Sequence, residues 1–252
     1  MNKIIALIII SLLISCGNQQ GGETEQGGVE KQADEKFSDT GAETKTQGPI
    51  LLSKEQDETQ SGEAMKNEIA HLFNQGTRAY DNDDFEGGIS YFEQIVEKDP
   101  TERRAWYNLG LGYFRVNRFD KSLQAFTRAI EIAPDDSLSI QYRGRVYYMM
   151  NDFQNCLKDY ERVIELKPND PVAYYNRGTA RGQIRDYLGA IMDFDKAISL
   201  NPDYAEAFFN RGLANYLLDR VHEACYDWRK AHLLGHYEAD KALRSYCGGD
   251  DD

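Results

Sequence analysis

Four prolines, Pro100, Pro134, Pro168 and Pro202, stand 34 residues apart. A chain with such a period folds as stacked copies of one unit, because a single unit leaves an apolar face uncovered. Aligned on the prolines, the units start at Ile69, Arg103, Ser137, Pro171 and Ala205. The eighth position is always glycine: Gly76, Gly110, Gly144, Gly178 and Gly212. The fourth is Leu72, Trp106, Ile140, Tyr174 and Phe208, and the twenty-fourth is Phe92, Phe126, Tyr160, Phe194 and Trp228. A small residue recurs at the twentieth, as Gly88, Ser122, Cys156 and Ala190, with Cys225 taken as the fifth member. Apolar residues at helical spacing form two amphipathic stripes per unit. Polar pairs such as Asn117-Arg118, Asn151-Asp152 and Arg185-Asp186 mark a turn between them. The glycine and the small residue predict two closely packed helices, and the proline ends the second.

This pattern resembles the tetratricopeptide repeat (TPR) family over roughly residues 65–236. The resemblance implies an all-α, right-handed α-solenoid of about five helical hairpins. Residues 237–247 place Ala239, Ala242, Leu243 and Tyr246 at helical spacing, which predicts a capping helix. Solenoids need such a cap with a polar outer face. Residues 248–252 read as an acidic tail.

The N-terminal region is different in kind. After Lys3, an apolar run of 11 residues extends from Ile4 to Ile14, broken only by Ser11. It suits the core of a signal peptide over residues 1–15 and is too short to span a bilayer, which takes roughly 17–25 residues. Leu13-Ile14-Ser15-Cys16 resembles the bacterial lipobox. That resemblance implies lipidation of Cys16, palmitate included, and a stable anchor through more than one acyl chain. Gly17 follows where an inner-membrane retention signal often has Asp, so the expected address is the cell envelope, at the outer membrane on its periplasmic or surface face. Residues 16–64 are rich in Gly, Gln, Glu, Thr and Ser. From Gly17 to Ala64 they carry eleven acidic residues against four Lys, which predicts a disordered, flexible tether.

The net charge of −13 argues against nucleic acid, whose phosphates need clustered Lys and Arg. Nucleophile, phosphate-loop and dinucleotide motifs are not evident, and no catalytic residue or cofactor is predicted. His222, His232 and His236 form the one histidine cluster, with Glu238 and Asp240 near it, but Gly235 is expected to break the helix between His232 and His236. Surface histidines are the favoured reading over a metal site.

Cys156 reads as a small core residue. Cys225 and Cys247 stand at similar heights on the last repeat helix and the cap, so a disulfide and two free thiols both stay open. Position 7 carries Arg143, Arg177 and Arg211, and position 23 carries Asp159, Asp193 and Asp227. The first two units lack both partners, having Gln75 with Tyr91 and Leu109 with Ala125. This joint presence and absence predicts an Arg–Asp pair within each of the last three hairpins, fixing helix registry.

Resemblance to TPR proteins further implies that the first helix of each hairpin lines a concave groove. Position 5 offers Phe73, Tyr107, Tyr175 and Phe209, and position 12 offers Tyr80, Phe114, Tyr148 and Tyr216, with Arg104 and Arg145 as local positive charges. Asn74, Asn108, Asn176 and Asn210 fill position 6, but no Lys stands at position 5, so a clamp for a terminal carboxylate is not expected. The leading expectation is a lipid-anchored, non-catalytic scaffold that holds a protein or peptide partner of the envelope by aromatic contacts. A structural or self-assembling envelope component is the alternative, and a metal-dependent enzyme built on the histidines a minor one.

Overall fold

The computed structural model describes residues 52–248, with side chains from Gly62 onward. The chain divides into two units, Met1–Glu58 and Thr59–Asp252. Cys16 and most of the expected tether lie outside the described residues.

Among the described residues there are eleven helices and no strand. They are α1 (Leu52–Asp81), α2 (Phe85–Lys98), α3 (Arg103–Arg115), α4 (Phe119–Ile132), α5 (Ser137–Met149) and α6 (Phe153–Leu166). Then follow α7 (Pro171–Gln183), α8 (Tyr187–Leu200), α9 (Ala205–Leu217), α10 (Val221–Leu233) and α11 (Ala239–Tyr246). From α2 onward each helix packs on its chain neighbours, α3 on α4, α5 on α6, α7 on α8 and α9 on α10, and each such pair packs on the next, while α1 meets α2 through Phe73 on Phe92.

The helix α1 begins at Leu52, inside the segment expected to be flexible throughout. Composition explains the difference. Lys54, Glu55, Gln56, Glu58, Gln60, Glu63, Ala64, Met65 and Lys66 are strong helix formers, and their polarity does not oppose helix.

Local chemistry sets the ends of the helices. Asp84, Asp152 and Asp186 cap the second helix of their hairpins, each carboxylate accepting from the backbone N–H three residues on. Asp170 caps α7 just before Pro171, whose fixed φ suits a first helical position. Within each hairpin the turn takes one residue into the left-handed region: Asp83, Asn117, Asn151, Arg185 and Asp219, at φ between 59° and 65°. The residue after it returns its N–H to a carbonyl five positions back, as Asp152 N to Tyr147 O at 2.9 Å. The second helices end in extended backbone at Asp99, Ala133 and Asn201, the conformation that a following proline imposes.

The core runs along the inside of the stack. Phe92, Phe126 and Trp228 are fully buried, and Tyr160 and Phe194 nearly so. Each of these rings lies across the glycine of its own hairpin. A Cβ on Gly110 would meet the Phe126 ring at 2.6 Å, and one on Gly212 would meet Trp228 at 2.6 Å. Only glycine allows that approach. In the fifth hairpin the small residue is Ala224, fully buried. Cys225 stands one place further on, which corrects its assignment to that position.

Candidate interaction surface

Three ion pairs tie first helix to second in the last three hairpins. Arg143 donates to Asp159 through Nε and Nη2 at 2.8 and 2.7 Å. Arg177 grips Asp193 the same way at 3.0 and 2.6 Å, and Arg211 grips Asp227 at 3.0 and 2.6 Å. The three carboxylates are buried. Two of the pairs extend into networks: Arg181 adds a 3.0 Å contact to Asp193, and Arg211 also reaches Asp195 at 2.5 Å. Burial pushes the Asp227 carboxyl above its ordinary value, against the pull of hydrogen bonds from Arg211. Burial also weakens Arg211's hold on its proton, but the carboxylates outweigh this and its pKa rises. Each pair thus sets a guanidinium of the first helix against a buried carboxylate of the second through two hydrogen bonds.

The cap is held in two ways. Cys225 and Cys247 are bonded, with Cα atoms 5.8 Å apart. The Tyr246 ring packs on Tyr216 at 4.7 Å and on Trp228 at 5.8 Å. The remaining described cysteine, Cys156, is buried, and burial pushes its thiol up to about 12, so it is chemically inert.

The rings of positions 5 and 12 are placed differently from an open row. Those at position 5 lie on the core aromatic of the partner helix: Phe73 on Phe92 at 5.3 Å, Tyr107 on Phe126 at 5.9 Å and Tyr175 on Phe194 at 5.9 Å. Those at position 12 lie at the far end, Tyr80 on Phe85, Phe114 on Phe119 and Tyr148 on Phe153 at 5.6 to 5.8 Å, except that Tyr216, with Val221 in place of that ring, lies on the core Trp228 at 5.8 Å. Several reach the next hairpin. The Tyr80 hydroxyl donates to Asn108 O at 2.9 Å, Gln183 donates to the Tyr148 hydroxyl at 2.9 Å, and Asn210 donates to the Tyr175 hydroxyl at 3.0 Å. Burial pushes the Tyr148 phenol up to about 12. Most of these rings are partly buried.

Two expectations are corrected here. Phe209 is only 3% exposed and stacks on His236 at 4.2 Å, so it is core and not groove. The reason is local: His236 replaces the proline that ends the other hairpins, and its ring closes over Phe209. Arg104 is not a bare positive charge, because Glu102 holds its guanidinium by two hydrogen bonds of 3.0 Å while it lies over Phe73. Arg145 similarly lies over the Phe114 ring at 5.3 Å.

The histidines do not converge. His222 and His232 are exposed on α10, while His236 turns into its ring stack. Among the described residues no three His, Cys, Asp or Glu side chains are grouped to hold a metal ion. No described helix is long and apolar enough to cross a membrane. One feature was missed from sequence altogether. The left-handed residue at position 15 of every hairpin was visible only as part of a polar pair, since Asp and Asn signal turns without specifying φ.

The stack of hairpins, with its glycine-to-ring contacts, defines a helical repeat protein. Tetratricopeptide repeat models match residues 73–137 and, in a second model, residues 144–184 and 186–219, together more than half of the chain. The chain belongs to the TPR family, and its fold is that family's right-handed α-solenoid. No curated protein matches the chain. Several solved structures share the fold. A crystal structure of MamA is 21% identical with a TM-score of 0.60, over 68% of this chain and 97% of that one. MamA from Desulfovibrio magneticus RS-1, residue 41 to the end, gives 18% identity and a TM-score of 0.64, over 66% and 94%. YrrB, described as a TPR protein with an unusual peptide-binding site, gives 20% and 0.62, over 74% and 97%.

Proposed function

We propose that this chain is a lipid-anchored, non-catalytic scaffold of the bacterial cell envelope that holds a protein or peptide partner along the first helices of its hairpins. The observation that carries the reading is the series of half-buried rings on α3, α5, α7 and α9. Tyr107, Phe114 and Tyr148 are each braced by a ring of the partner helix and stay only partly buried, whereas Tyr175 is packed by Tyr204 and Tyr216 by the cap ring Tyr246. A braced aromatic edge binds with little loss of side-chain entropy, which is why such residues dominate hot spots. The peptide-binding site ascribed to YrrB supports the reading by analogy of fold. The Cys225–Cys247 bond supports an exported protein, since disulfides persist in oxidising compartments. Cys16 supplies the anchor, and the acidic stretch after it holds the solenoid away from the membrane.

The anchor and the groove are tested separately. Mass spectrometry of the mature N-terminus should find an acylated Cys16, and Cys16→Ala should release the protein into the soluble fraction. For the groove, Leu138 at position 2 of α5 shares the helix face of positions 5 and 12 and is 41% exposed, so Leu138→Asp leaves the core intact. In crosslinked pull-downs from the envelope it should abolish partner recovery with unchanged helicity. Unchanged recovery would refute the groove.

A further inference from the structure

The outward face of the second helices changes character along the stack. At positions 18 and 22 the first three hairpins carry Glu86 and Ser90, Asp120 and Gln124, and Gln154 and Lys158. The fourth carries Leu188 and Met192, which are 56% and 70% exposed, and Tyr226 of the fifth is 56% exposed. Ile184, just before α8, is a fourth exposed apolar side chain. Solvated faces of this kind keep polar residues, and a local switch to Leu, Met and Tyr marks a surface meant to be covered.

Beside these side chains lies a cleft of about 380 Å³, walled by α8 and α10 and floored by α9. Its lining includes Ile191, His222 and Tyr226 together with Asp195, Arg211, Glu223 and Asp227. Three carboxylates thus outnumber one guanidinium and the His222 imidazole, and that guanidinium is already committed to Asp227 and Asp195. The cleft is therefore negative at a place where the rim is apolar. Lys230, over the ring of Tyr226, is the nearby cation on the rim.

We propose that this face is a second docking surface, for a segment of a partner protein that sets a Lys or Arg into the cleft and lays flanking apolar side chains on Leu188, Met192 and Tyr226. Charge selects this occupant. A second copy of the chain, at net charge −13, brings repulsion to an already negative cleft. An anionic lipid headgroup is repelled for the same reason. A basic, amphipathic protein segment satisfies both the cleft and the rim. The surface opens between second helices and uses none of the rings at positions 5 and 12 of the groove proposed above, so it does not depend on that groove.

The test uses the full chain in the cells that make it, with Met192 replaced by the photo-crosslinker p-benzoylphenylalanine. Illumination should yield an adduct with another protein whose crosslinked peptide holds a Lys or Arg within one helical turn of apolar residues. Glu223→Lys, at an exposed position, should lower adduct yield by about ten-fold or more with unchanged circular dichroism. Leu138→Asp in the first-helix groove should leave the adduct in place. An adduct to another copy of this chain, to lipid or to an acidic peptide, no adduct at all, or an adduct indifferent to Glu223→Lys overturns the proposal.

Discussion

Arg185 occupies the left-handed turn position that Asp83, Asn117, Asn151 and Asp219 fill in the other hairpins, at φ 65°. The left-handed region brings any Cβ close to the following carbonyl at a cost of about 1–2 kcal/mol, which Asp and Asn offset in part because their short polar side chains bond locally and Arg does not. Arg185 is exposed, so its side chain has little packing to lose. Arg185→Asn should therefore stabilise the protein by about 0.5–1 kcal/mol, read as a rise in the denaturation midpoint. The same scale explains why the turns were legible as polar pairs but not as strain. Residue type signals a turn, whereas φ depends on how the two helices meet.

At the scale of elements, the ion pairs and the cap govern how helices hold together. Asp159 is 6% exposed and depends on Arg143 for compensation. Arg143→Ala should destabilise by about 3 kcal/mol in chemical denaturation, since a lone buried carboxylate is left behind. Replacing both partners, as Arg143→Met with Asp159→Leu, should come within about 1 kcal/mol of the parent. The cap responds to pH through His236, whose pKa burial lowers from its ordinary 6.5, with Glu206 pulling the other way. The undocked imidazole takes a proton more readily than the docked one. Cap stability is then complete above pH 6.5 and falls as the pH drops toward the lowered value. Hydrogen exchange of α11 should quicken from pH 7.5 to 5 beyond the intrinsic trend, and His236→Phe should remove the excess.

For the whole molecule, a stack in which each hairpin contacts only its neighbours frays from its ends. The C-terminal end is held by the bond between Cys225 and Cys247, which closes a loop of 22 residues. Reduction should lower stability by about 3 kcal/mol on the loop-entropy account, with α11 losing exchange protection before the central hairpins. A melt unchanged by reductant, in protein verified as bonded beforehand, would show that ring packing alone secures the cap.

The 34-residue period by itself determined the helical hairpin, its stacking and the close glycine-to-ring contact, because those follow from apolar spacing and residue size. Arg and Asp at positions 7 and 23 were likewise readable as pairs, since two charges that come and go together on facing helices have one inexpensive arrangement. Only the tertiary structure decided which rings are groove and which are core. Positions 5 and 12 lie on the seam between a hairpin's own two helices, and exposure there depends on what closes over the seam. His236 closes over Phe209 and buries it, while Tyr107 and Tyr148 stay only partly buried. The acidic cleft between α8 and α10 was hidden for the same reason. Asp195, Arg211 and Glu223 come from three helices, and no spacing along the chain shows that they meet.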